Sequence, residues 1–102
     1  GRTGKADAPM AKSIMQTEQE SYLSGRTDSL EEHHIFYGQG RRKLSERYGL
    51  KVWLTHDEHN EPPDGVHFNQ AARRALERAG QEAFERKYPD LNFMRIFGKN
   101  YL

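Results

Sequence analysis

All five histidines of this 102-residue chain fall between positions 33 and 67: His33, His34, His56, His59 and His67. Imidazole is a common metal ligand and, with an ordinary pKa of about 6.5, a proton acceptor at neutral pH. His33 and His34 are adjacent, and on a strand adjacent side chains point to opposite faces. The two can therefore hold different jobs, one on a metal and the other toward a substrate. His59 follows a predicted strand, where a hairpin would return it beside the HH pair, and His67 opens the longest predicted helix. Three imidazoles around one ion with a coordination position left open form a catalytic type of site, suited to Zn, Mn, Fe or Ni. A further unligated histidine suits a general base. The competing reading is that these are ordinary loop and surface histidines.

A basic stretch, Arg41, Arg42, Lys43 and Arg47, lies between the HH pair and the next strand. Alone it is solvated charge; beside a metal it becomes a grip for phosphate oxygens, which guanidinium groups bind in a bidentate fork. Metal, base and phosphate grip together describe phosphodiester hydrolysis. Other chemistries fail on spacing. GQG at 38–40 lacks the lysine and hydroxyl residue of a nucleotide-binding loop, and HDEHN at 56–60 is not the HExxH of a metalloprotease. Glu31 and Glu32 are adjacent and cannot flank a glycosidic bond.

These residues need elements to hold them. LKVWLT at 50–55 is the best strand, Val52 and Leu54 alternating with Lys51, Trp53 and Thr55. EEHHIFYG at 31–38 pairs with it in a hairpin whose connection, 38–49, reads as a functional loop. Pro62 and Pro63 deny the 56–65 stretch a long helix. A helix over 70–87 is predicted from Phe68, Ala72, Ala75, Leu76, Ala79 and Ala83, with Asn69 as N-cap and Pro89 as terminator. Its Arg and Glu residues form a salt-bridged outer face. A short helix capped by Asp90 would carry Leu91, Phe93, Met94, Ile96 and Phe97 to Gly98. A helix is also read in Ala11–Ser21, and a turn in 24–29. The fold class expected is α+β, a hairpin with a packed helix and helical flanks, in one domain over 10–102. Its core is about 21–87 with a C-terminal helical extension at 88–102, and residues 1–9 read as a leader or added tail before Met10.

Composition narrows the classes. With 34% apolar and 30% charged residues the core must be thin. The absence of cysteine excludes disulfides, thiolate metal sites and a cysteine nucleophile. Sixteen basic against fifteen acidic residues leave net +1, so nucleic-acid binding would rest on local clustering. No run approaches the roughly 20 apolar residues of a membrane span. With no apolar signal region near the start either, the expected compartment is the cytoplasm.

The segment EEHHIFYGQGRRKLSERYGLKVWLTHDEHNEPPDGVHFN resembles the HNH nucleases, the ββα-metal (His-Me finger) endonucleases common in bacteriophages and prophages. The likeness covers about 21–69, and 70–102 resembles the C-terminal part of small phage-encoded members. It implies a single divalent ion, Mg, Mn, Ni or Zn, held by His33 and His59. His67 is added as a third ligand on proximity. His34 would be the general base and Asn60 a supporting residue, with DNA bound through its phosphates in a bacterial host cytoplasm. A homodimer or a phage protein partner stays open.

Two departures accompany the resemblance. Many relatives carry a structural zinc knuckle of two CxxC pairs; here those positions hold Ser21, Ser24, Thr55 and Glu58, so no structural zinc is expected. Stability would then fall on Tyr22, Leu23, Leu30, Ile35, Trp53, Leu54 and the C-terminal aromatics, or on dimerisation. The middle Asn, which braces the hairpin loop, would lie near Gly49 and Leu50, and neither is Asn. A degenerate relative that binds DNA or a protein without cutting it is the alternative reading, and an interaction domain with incidental histidines is a third.

Overall fold

Two five-residue strands, β1 (Leu30–His34) and β2 (Lys51–Thr55), pair antiparallel with His33 opposite Val52 and His34 opposite Lys51. Cross-strand partners share a face. Glu31, His33, Val52 and Leu54 therefore line one side of the ribbon, and Glu32, His34, Lys51 and Trp53 the other. The structure, a computed structural model, describes residues 12–102, so the reading of 1–9 and Met10 falls outside it. The order β1, α1 (Arg41–Arg47), β2, α2 (His56–Asn60), α3 (Gln70–Lys87), α4 (Phe93–Phe97) makes an α+β chain. Among the described residues no helix is long and apolar enough to cross a membrane.

β1 is shorter than the predicted 31–38 because Ile35 and Phe36 leave the ribbon to enter the core, both essentially fully buried. The connection expected as a loop contains α1, and tertiary bonds explain it. Ser45 is buried; its Oγ donates to Leu50 O at 2.5 Å and accepts from Phe36 N at 3.2 Å. Leu50 N donates to Ser45 O at 2.8 Å. One hydroxyl thus ties both ends of the hairpin to the helix between them.

No helix forms in 12–21, against expectation. That stretch runs along the outer edge of β2 instead. Ser13 Oγ donates to Lys51 O at 2.6 Å, Gln16 Oε1 accepts from Trp53 N at 2.7 Å, and Tyr22 N donates to Trp53 O at 2.8 Å. Backbone groups that an edge strand would leave open are thereby satisfied.

α3 begins as predicted, Asn69 Oδ1 accepting from Ala72 N at 3.0 Å. Its inward stripe differs: Leu76, Gly80, Gln81, Ala83 and Phe84 are buried, whereas Ala75 is exposed and Phe68 stands outside the helix, 58% exposed. Phe84 draws the helix around because its ring packs against Tyr48, Tyr88, Phe93 and Phe97. At Gly80 a Cβ would stand 3.1–3.2 Å from Phe36 and Ile35, so the core closes over a bare backbone there. α4 is capped by Asn92, whose Oδ1 accepts from Arg95 N at 3.1 Å, rather than by Asp90, and it ends at Gly98 as predicted. Of the residues expected to carry the core, Ile35 and Leu54 are fully buried, while Tyr22 and Leu23 are exposed. The aromatic packing of Phe93, Phe97 and Tyr101 on Phe36 takes up that load.

Candidate metal centre

The three predicted histidine ligands arrive from three directions. His33 comes from β1 and is 2% exposed. His59 sits in the last turn of α2, a helix started by a capping box in which Thr55 and Glu58 exchange side-chain and backbone bonds. The chain then doubles back: Gly65 N donates to Glu61 O and Val66 N to Glu58 O, both at 2.7 Å. At Gly65 a Cβ would lie 2.7–2.8 Å from Glu61 backbone atoms, so only glycine lets the turn close this tightly. The next residue but one is His67, whose N–H reaches His59 O at 3.4 Å.

The rings of His33, His59 and His67 stand 4.7–5.2 Å apart, centroid to centroid. One nitrogen from each lies within 4.8 Å of the others. His59 Nε2 and His67 Nε2 face each other at 3.0 Å. Among the described residues His33 Nε2 is the buried side-chain polar atom with no hydrogen-bond partner. Buried polar groups are rarely left so. An imidazole nitrogen stripped of water and of protein donors, beside two more imidazole nitrogens, fits a borderline divalent cation. Burial, reinforced by His59, His67 and His34, pushes the His33 pKa down to about 3, so its lone pair is free at neutral pH. Burial also lowers His67, with His59 and Arg73 adding to it.

Glu31 orients this group, and the sequence reading missed it. Its Oε1 accepts from His59 Nδ1 at 2.8 Å and from Asn60 Nδ2 at 3.0 Å; its Oε2 takes His56 Nδ1 at 2.7 Å. A proton on His59 Nδ1 leaves Nε2 as the ligating nitrogen, the arrangement in which a carboxylate fixes a metal-binding histidine. Hydrogen bonds from His59 and His56 hold Glu31 below the usual carboxylate range, and Glu31 in turn raises His56. The signal available was spacing: Glu31 lies two residues before His33, on the same face of β1. Asn60 reaches the site through Glu31 and also stands 3.2 Å from His59 Nδ1. His56 stays outside the three-histidine group, on the far oxygen of that carboxylate.

A cleft of about 300 Å³ opens over the group, lined by Glu32, His33, His34, Tyr37, Arg42, His59 and His67. Among the described residues β1 pairs with β2 alone, and His33 and His34, though on opposite faces of the ribbon, both line the cleft. His34 Nε2 contacts Glu46 Oε1 at 2.7 Å, and Glu46 Oε2 takes the Lys51 ammonium at 2.9 Å. Glu32, His34 and Glu46 also bring ligand atoms together, but Lys51, 3.4 Å from Glu32 and 2.9 Å from Glu46, already supplies a cation there.

Of the four basic residues predicted to grip phosphate, Arg42 lines the cleft. Lys43 and Arg47 are exposed on α1 away from that lining, and Arg41 turns to the C-terminal segment, its Nε donating to Phe97 O at 2.9 Å. Ser21, Ser24, Thr55 and Glu58 meet in space. Ser21 Oγ donates to Glu58 Oε1 at 2.5 Å and accepts from Leu23 N and Ser24 N at 3.1 Å; Thr55 N donates to Glu58 Oε1 at 3.0 Å. Burial would raise Glu58, but these bonds, with one from the Ser24 side chain, outweigh it and hold the carboxyl low.

No family model matches the chain, and neither curated proteins nor solved structures give a match.

Proposed function

We propose that the protein is a metal-dependent DNA endonuclease of the HNH, or ββα-metal, type, hydrolysing phosphodiester bonds in the cleft along β1. The observation that carries this reading is the buried His33, its Nε2 without a hydrogen-bond partner, grouped with His59 and His67, with His34 opening on the same cleft. His33, His59 and His67 would hold one divalent ion. Bound there, the ion would act as a Lewis acid for the charge that builds on the phosphate during attack. His34 takes the proton of the attacking water, which adds to phosphorus as the ester oxygen leaves. Arg42, at the rim, binds a phosphate oxygen and sets the strand across the cleft. Neutral His33 and His67 keep their lone pairs at the pH of such a reaction, and Glu31 keeps His59 turned the right way.

The test is supercoiled-plasmid cleavage in EDTA, Mg²⁺, Mn²⁺, Ni²⁺ and Zn²⁺, run beside His34→Ala. Nicking that needs metal and disappears in His34→Ala, while the variant keeps its fold and metal affinity, supports the reading. A folded, metal-loaded parent that leaves the plasmid intact overturns it in favour of a domain that binds DNA or protein without cutting.

A further inference from the structure

We propose that Glu46 is the positioning residue for His34: its carboxylate, pinned by Lys51, fixes the ring and leaves Nδ1 as the nitrogen that accepts a proton. This rests on the nuclease reading for its consequence in catalysis, though not for its geometry.

His34 and Lys51 are cross-strand partners, and both reach the same carboxylate on α1. Each Glu46 oxygen has its own partner, at 2.7 Å to His34 Nε2 and 2.9 Å to Lys51 Nζ. A carboxylate held at both oxygens cannot swing. Nor can the ring turn over, because rotation by half a turn would put a carbon where Nε2 donates. An ionised carboxylate only accepts. The neutral ring must therefore carry its proton on Nε2 and its lone pair on Nδ1. His34 and Lys51 are 8% and 5% exposed, so both bonds are sheltered on the donor side, the Glu46 side chain being 28% exposed.

The brace also answers what the sequence lacks. The resemblance would put a bracing Asn near Gly49 and Leu50, and neither side chain can hold the hairpin loop by a hydrogen bond. α1 does so instead: Ser45 ties the loop to Phe36 and Leu50, and the next residue, Glu46, reaches the histidine. Helix and brace are thus one device.

The experiment compares the parent with Glu46→Gln and Glu46→Ala. Long-range proton–nitrogen correlation spectra of ¹⁵N-histidine-labelled protein read the His34 tautomer without any metal or DNA. The parent should show the proton on Nε2 alone, and Glu46→Ala a mixture of tautomers. Plasmid cleavage with saturating metal should lose about 10–100-fold in kcat in Glu46→Ala, with KM and Ni²⁺ affinity unchanged. Glu46→Gln, which keeps one accepting oxygen and can serve only one of the two partners, should fall between; it serves as the test if Glu46→Ala does not fold. A parent with its proton on Nδ1, or a folded variant whose tautomer and kcat match the parent, would overturn the proposal. A parent that shows the Nε2 tautomer but cuts no DNA would sink the nuclease reading and leave the Glu46–His34 brace standing.

Discussion

Ser21 and Glu58, 37 positions apart, share a hydrogen bond of 2.5 Å that fastens the segment before β1 to the helix after β2. The same Ser21 oxygen closes the turn at Leu23 and Ser24, and the same Glu58 oxygen caps Thr55. Hydroxyls and one carboxylate tie the two segments together.

Ser21→Ala should therefore cost about 1–3 kcal/mol, because it removes a buried hydroxyl that donates to a charged carboxylate and accepts from two backbone N–H groups. Urea unfolding of both proteins, with and without EDTA, reads this. The gap should be the same in both conditions; a gap that exists only without chelator would put a metal at the knot.

Glu31→Ala should weaken Ni²⁺ or Zn²⁺ binding about 10–100-fold, the range for a partner that orients a metal-ligating histidine. Calorimetric titration of the metal measures it. Unchanged affinity would mean that His59 is oriented without Glu31.

Arg41 and Arg42 are neighbours with separate fates. Arg41→Ala removes a charged donor from Phe97 O and should cost about 1–2 kcal/mol of stability. Arg42→Ala should shift stability by less than about 0.5 kcal/mol, as expected of an exposed residue. It should also reduce the salt dependence of DNA binding by about one phosphate contact. Thermal melts and binding isotherms at several salt concentrations separate the two; swapped phenotypes would reverse the assignment.

Glu46 links stability to pH. Burial would raise its carboxyl, but hydrogen bonds from Lys51 and His34 outweigh that and hold it below its ordinary 4.5. The unfolded chain binds the proton more readily, so stability rises with pH across this range. The contribution is complete above the ordinary value and lost as pH falls through the folded one. Glu46→Gln should melt below the parent at pH 7, and the two curves should converge as pH drops below 4.5. A gap that stays constant from pH 7 to 3 would show that the charge of Glu46 contributes nothing.

The hairpin, the long helix and the histidine grouping were legible because each has a local signature: alternation at Val52 and Leu54, the Asn69 cap, and imidazoles at strand ends. α1 was not. Its inward anchor, Leu44, stands among charges, and Gly38 and Gly40 suggest a loose loop; the bonds that make it a helix come from Phe36 and Leu50 across the hairpin. Glu31 reads in the sequence as half of an adjacent acidic pair, although alternation alone places it on the face of His33. The inward face of α3 is harder to read because small alanines mark a stripe less firmly than Phe84 does. Arg41 and Arg42 look identical in sequence, and only the position of Phe97 tells them apart.

Phe36 receives its ring neighbours from Phe93, Phe97 and Tyr101, and the Arg41 clamp on Phe97 spans 56 positions. Chains emerge from the ribosome at about 5–20 residues per second. The hairpin, complete at Thr55, therefore waits roughly 2–9 s after its own synthesis for the rings that seal it. During that interval Phe36 has none of these partners, so the order in which the segments are made sets a window of vulnerability to aggregation that the finished molecule does not display.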